Sequence, residues 1–359
     1  MRFLSLRRIE VNKIGSEHCD LYRDFLGAMW PVYGAAGDWD TVVMKFGHNP
    51  HNALCEGSAL YGAFHENTIL AVAGAYAMPV LVKGRLHPGH VICDWAVIPR
   101  YKLSGAFGLL FKTLLALPGR KYVSSGNEHA QGLMVNRAVR IRNRGSLTVL
   151  DPLMIALAKL TKVRAFALPA PFHMEEFNNA IAGMGQSLSP PKLREYHPGD
   201  TDNVAFVPRW GDFWSVYCRY RHLNGAVCFR IKSGSADAEF VVAFTQAGRF
   251  RFADVLATSF FPPCPENGQA AGRSVRRLMR KLGVSLVSCE GTDPILTPFL
   301  NGLGGFCRFA ETTWWSVPKE DDAFSANDVE WRLAQADRDS HWGYVVPSHG
   351  GYVKSVRRK

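Results

Sequence analysis

The order of apolar runs and breaks between residues 91 and 150 recurs later in the chain, and this repetition constrains the fold more than any other feature of the sequence. In the first pass, 91–98 reads as a strand, 99–105 as a loop, and 106–115 as an apolar helix stopped by Pro118 and Gly119. A strand at 121–125, a helix over about 129–140 and a strand at 146–150 complete it. In the second pass, 249–256 leads, followed by a helix at 269–282, a strand at 284–289, a helix at 293–303 and a strand at 307–317. Each leading strand contains an aspartate, Asp94 and Asp254, 160 positions apart, and the next strands read YVSSGNE and LVSCEGT. Strands and helices alternating in this way predict an α/β chain with α+β mixed sheets, built as two copies in tandem.

Ahead of the first copy, a strand over 3–11 precedes a helix that starts near Ser16, where Glu17 and Asp20 suit the first turn. A polar loop at 47–52 follows, then two strand-like runs, 59–64 and 69–82, joined by a hairpin-like turn at 65–68. Proline density around 169–191 marks a break between the copies. The expected division is an N-terminal domain at 1–165, a Pro-rich linker at 166–195, and a C-terminal domain with its tail at 196–359.

Composition removes several classes of protein. With 47% hydrophobic, 12% aromatic and 20% charged residues, the chain can bury a sizeable core, unlike a disordered or collagenous one. Its eight cysteines are scattered over 359 residues with no two within four positions, so neither a zinc knuckle nor a disulfide scaffold is expected. Charges break every apolar stretch of the N-terminus, and no apolar run approaches the ~20 residues of a membrane span. The plain expectation is a reduced, cytoplasmic protein without a metal. The net charge of +11 attracts anionic partners without choosing among them. Between Lys102 and Arg144 eight basic residues face Glu128 alone. No basic helix with interleaved aromatics is present, which disfavours nucleic-acid binding.

The strand–loop–helix at 91–117 resembles the core of the GNAT superfamily of acyl-coenzyme A-dependent N-acyltransferases. The family pattern is V-x-P-x-[YF]-R-x-x-G-x-[GA], and the chain has Val97, Pro99, Tyr101 and Gly105 in register. Lys102 stands where Arg or Gln is usual, and Phe107 where Gly or Ala is expected, with Gly108 one position later. A glycine-rich turn at a helix N-terminus presents backbone N–H groups and a partial positive charge to a pyrophosphate. The resemblance therefore implies that Val97, Lys102, Leu103, Ser104, Gly105, Ala106, Phe107 and Gly108 bind acetyl-CoA or another acyl-CoA. Packing of helix on strand would account for Gly105 and Gly108 equally well. Asn127 matches an asparagine common in the family near the pantetheine arm, and would serve equally as a helix cap. Segments 213–221 (FWSVYCRYR) and 330–340 further resemble tandem members from bacterial cell-surface polysaccharide clusters, which implies an amine acceptor such as a nucleotide-linked amino sugar.

Amide formation from a thioester needs a deprotonated amine and a polarised carbonyl. The resemblance puts a carboxylate on the leading strand near the acyl group, making Asp94 the first candidate for base. His90, like His87 in the same His-Pro-Gly-His run, has a useful titration range. Solvated loop histidines and a capping aspartate are the plainer readings of these residues. The family's thiolate-protonating Tyr has no counterpart in 129–140, leaving water, Ser124 or Ser125. In the second copy, 269–274 resembles Q-x-x-G-x-[GA] but lies more than ten residues beyond its strand, so that half reads as structural or substrate-shaping. Two alternatives stay open: the same fold taking its acyl group from an acyl carrier protein or aminoacyl-tRNA, and a scaffold whose sites have decayed.

Overall fold

The computed structural model describes residues 9–29, 39–49, 51–82, 85–124, 139–151, 153, 165–167, 170–187, 204–206, 226–247, 250–290, 295–304, 306–317 and 331–332. The chain divides into two compact units. The first comprises Met1–Ile141, His197–Val207 and Thr313–Trp331, and the second Arg142–Tyr196, Pro208–Thr312 and Arg332–Lys359.

Strands β1 (Glu10–Lys13), β2 (Ala59–His65), β3 (Thr68–Ala77), β4 (Val80–Val82), β5 (Arg85–His87), β6 (Gly89–Val97) and β7 (Arg120–Ser124) belong to the first unit, with helices α1 (Cys19–Met29) and α2 (Ala106–Ala116). Strand β8 (Val139–Val149) begins in the first unit and ends in the second. Next come β9 (Ala165–Ala167), α3 (Ala170–Ile181) and β10 (Gly185–Ser187) of the second unit, then β11 (Val204–Phe206) of the first. The second unit continues with β12 (Ala226–Ser233), β13 (Ala236–Ala247), β14 (Phe250–Phe260), α4 (Pro265–Lys281), β15 (Val284–Glu290) and α5 (Leu296–Leu303). Strand β16 (Phe306–Val317) starts in the second unit and finishes in the first, and β17 (Trp331–Arg332) is the last described element.

The first unit's main sheet runs β1-β2-β3-β6-β7 and then the end of β16, with β6 and β7 parallel and every other pair antiparallel. A small sheet runs β17-β11-β4-β5. Strands β2 and β3 are apolar at nearly every position, as strands covered on both faces must be. On one face α2 contributes Ala106, Leu110, Phe111 and Leu114 to a core with Tyr61, Ala71, Ala73, Ile92 and Val123. The second unit's sheet runs β8-β15-β14-β13-β12-β10, with β14 and β15 parallel. Its core packs α4 (Ala271, Val275, Leu278, Met279) and α5 (Phe299, Leu303) against Phe229, Phe240 and Val255. The mixed-sheet α/β architecture expected from the sequence is thus present, one main sheet in each unit.

Several element boundaries differ from the sequence reading. Residues 166–195, expected as linker, carry α3 and β10, and Phe177, Ile181 and Met184 lie buried in the second unit's core. The spacing i, i+3, i+4 of Phe177, Ala180 and Ile181 gives α3 an apolar face, and Pro171 sits in its first turn, where a missing N–H costs nothing. Residues 139 and 140, expected at the end of a helix, open strand β8. The glycine-containing run 269–274, read as a possible turn, lies inside α4. Gly272 and Gly302 are there because an added Cβ at either would collide with backbone of the opposing helix. Segments 213–221 and 333–340, and Asn127 and Ser125, lie outside the described residues.

Candidate functional site

Strand β6 carries a register slip in the first unit's sheet. Its parallel ladder with β7 pairs Gly89 with Arg120 through Ile92 with Val123 and then ends among the described residues. On its other side β6 stays paired with β3, but the register slips: Cys93 lies opposite Gly74 and Ala96 opposite Val72, so Asp94 and Trp95 together face Ala73. Asp94 takes φ 53, one of two non-glycine positive values among the described residues.

That extra residue inverts the alternation of the strand. Ile92, Trp95 and Val97 pack on the α2 face, whereas in a regular strand Asp94 would follow Ile92 there. Asp94 is instead turned to the face of Cys93, whose Sγ lies 3.5 Å from Asp94 Oδ2. On this face Lys45 Nζ donates to Asp94 Oδ2 at 2.8 Å, with side chains only 2% and 7% exposed. Lys45 comes from a π-helical turn, Val43–Gly47, and its ammonium also lies over the rings of Phe46 and Tyr76 at 5.6 and 5.3 Å. Gly74 leaves room for this arrangement, because a Cβ there would strike the Phe46 ring and Cys93 Sγ.

Beyond the slip, Ile98 N–H donates to Leu70 O on β3 at 3.0 Å. By alternation the N–H groups of Val97 and Trp95 point the other way, away from β3. The chain then turns through Pro99–Tyr101 and reaches α2, whose cap, Gly105, has φ 78. Ser104 Oγ accepts the Ala106 N–H at 3.2 Å, while Ala106 itself is buried in the core. Phe107 and Gly108 then carry the remaining first-turn N–H groups that no intrahelical carbonyl can reach. A Cβ on Gly108 would meet nothing within 4 Å, so helix–strand packing does not explain this glycine. Arg100, Lys102 and Leu103 are exposed beside it. Phe107 directs its ring against Trp95 and Phe111 at centroid distances of 5.9 Å each, away from the open turn. This packing explains why a bulky residue stands where the family has Gly or Ala.

Other expected contributors are placed elsewhere. His90 is part of β6, not a preceding loop, and is 0% exposed. Burial first, and the Lys121 charge second, push its imidazole down to about 4, so it is neutral and enclosed at physiological pH. Lys121, part of the basic run, is also buried, donating to the carbonyls of Leu117 (2.6 Å), Pro118 (3.1 Å) and Gly119 at the end of α2. That lysine caps a helix and adds nothing to a surface potential. Lys45 escaped the sequence reading, although a lone cation within Val42-Val43-Met44-Lys45-Phe46 is itself a sign of a buried partner.

The second unit presents the same elements in a closed form. The β14–β15 ladder continues past Asp254 to Val255 and Cys289, and Ser288 Oγ donates to Asp254 Oδ1. Helix α4 starts with Pro265 and Glu266, and its Asn267 side chain bonds the backbone of Asp237 and Pro262. A Cβ on Gly268 would strike Ile295.

Among the described residues no cluster of three His, Cys, Asp or Glu is placed to hold a metal, and no helix is long and apolar enough to cross a membrane.

The chain matches a GCN5-related N-acetyltransferase from Anabaena variabilis ATCC 29413 at TM-score 0.50 and 11% identity, covering 86% of this chain and 72% of that one. A probable N-acyltransferase from Enterococcus faecalis V583 matches at TM-score 0.52 and 12% identity, covering 85% and 71%. The fold is that of the GCN5-related N-acetyltransferases. At these identities the likeness is one of fold. No family model and no curated protein matches the sequence.

Proposed function

We propose that the chain is an acyl-coenzyme A-dependent N-acyltransferase, acetyl being the acyl group, acting in the cytoplasm on a small-molecule amine such as a nucleotide-linked amino sugar. The observation that carries this reading is the open first turn of α2 lying next in sequence to the slipped end of β6. When bound, acyl-coenzyme A supplies the thioester: the amine nitrogen attacks its carbonyl carbon, the C–N bond forms, the C–S bond breaks, and the thiol leaves with the amine's proton. The N–H groups of Phe107 and Gly108, with the helix dipole and the exposed Arg100 and Lys102, suit a pyrophosphate. The outward N–H groups of Val97 and Trp95 suit the thioester oxygen, on which charge grows during attack.

Asp94 shapes this site through its backbone. Its carboxylate is engaged by Lys45 inside the protein, so we assign proton removal to water and not to Asp94. His90, enclosed and neutral, takes no part in this reading. The second unit is read as structural or acceptor-shaping.

A thermal-unfolding titration with acetyl-coenzyme A tests this reading, because a ligand that binds only the folded state raises the unfolding temperature. The parent chain should be stabilised, and Gly108→Glu, whose side chain enters open space and meets the phosphates, should not be. Stabilisation of both to the same degree would move the cofactor elsewhere. No stabilisation of the parent at millimolar ligand would remove the reading.

A further inference from the structure

We infer that Lys45 is a positioning residue for the acyl centre: its ion pair with Asp94 holds the slipped register of β6, and so aims the Trp95 and Val97 N–H groups at the thioester oxygen. This rests on the function proposed above and assigns that site its controlling contact.

A non-glycine residue at φ 53 is held against a conformational cost, and Asp94 holds that value in the middle of a strand buried on both sides. Something must over-determine it. The side chain of Asp94 ends on Lys45 Nζ at 2.8 Å, on the face opposite to the one regular alternation would give it. Lys45 is itself fixed, being buried on a π-helical turn with its ammonium over the Phe46 and Tyr76 rings. Side-chain alternation has a period of two, so removing the extra residue's bend would swap faces for every residue from Trp95 onward. Trp95 would leave Phe107 and Phe111, Ile98 would lose Leu70, and the N–H groups now facing away from β3 would face it. The pair therefore decides which backbone groups look into the site, without either side chain touching the reacting atoms.

The decisive comparison uses two double variants that both remove the buried charges: Lys45→Met with Asp94→Gly, and Lys45→Met with Asp94→Ala. Glycine adopts φ 53 without strain, whereas alanine does not. The readout is the infrared carbonyl band of acetyl-coenzyme A labelled with carbon-13 at the carbonyl, with calorimetric binding of free coenzyme A measured alongside. The parent and the glycine double variant should shift the bound carbonyl to lower frequency. The alanine double variant should lose that shift while still binding coenzyme A. A shift retained in both variants would overturn the inference, since the register would not need the pair. A shift lost in both would overturn it too, since the carboxylate itself would then be what the acyl group requires. Failure of the parent to bind acetyl-coenzyme A would instead remove the underlying function, and the inference with it.

Discussion

His90 sits fully buried on the leading strand, and burial, with the Lys121 charge second, holds its imidazole down to about 4 against an ordinary 6.5. The unfolded chain therefore binds the extra proton first as pH falls. Stability is full above about pH 6.5 and declines through the window down to 4, by about 3 kcal/mol in all from this one group. Urea unfolding at pH 7 and pH 4.5 checks this: His90→Leu should flatten the decline relative to the parent chain. Lys45 is the counterpart case. Replacing it alone by Met leaves the Asp94 carboxylate buried without its cation, at a cost of about 3–5 kcal/mol in the same urea measurement. Neither environment was legible in the sequence. A histidine beside Pro88 and Gly89 has the local chemistry of a loop, and only the pairing of Gly89 and His90 with Arg120 and Lys121 buries it. Lys45 and Asp94 are 49 positions apart, and nothing local joins them.

At the scale of elements, the leading strands, α2 and the strand that follows each were legible, because apolar runs punctuated by Pro and Gly carry them. The slip in β6 was not, because a register shift is a property of two strands and Asp94-Trp95 looks like any half-buried pair. The helices of the second unit show the same division. The spacing of Ala270, Ala271, Val275, Leu278 and Met279 marks α4, but only the fold shows that Gly272 and Gly302 let α4 and α5 approach each other. Gly272→Ala should destabilise the chain by about 1–3 kcal/mol, the usual cost of forcing atoms into a packed contact. Gly108→Glu should leave stability unchanged or raise it by up to about 1 kcal/mol, since a glycine in an exposed first turn is exchanged for a better helix former favoured at that end. Thermal melts of the two variants separate a packing glycine from a binding one.

At the scale of the molecule, the ownership of the last strands was not legible. The sequence assigns 146–150 to the first copy and 307–317 to the second. Yet residues 145–149 pair with β15 in the second unit, and Trp314–Val317 pair with β7 in the first. Each copy's last strand thus ends in the other copy's sheet, an exchange that no local pattern encodes. A fragment ending at residue 165 lacks the strand that covers β7, so it should give no cooperative unfolding transition by circular dichroism, and a cooperative transition would show that the exchange is dispensable.

In the function proposed above only the first unit holds acyl-coenzyme A, because α2 begins with an open turn at Gly108, while α4 has its Asn267 bonded to the backbone of Asp237 and Pro262 and its Gly268 closed by Ile295. Isothermal titration calorimetry of the whole chain with acetyl-coenzyme A tests it most directly. One molecule bound per chain, abolished by Gly108→Glu, is the expected result. Two molecules per chain, or one that survives Gly108→Glu, would contradict it.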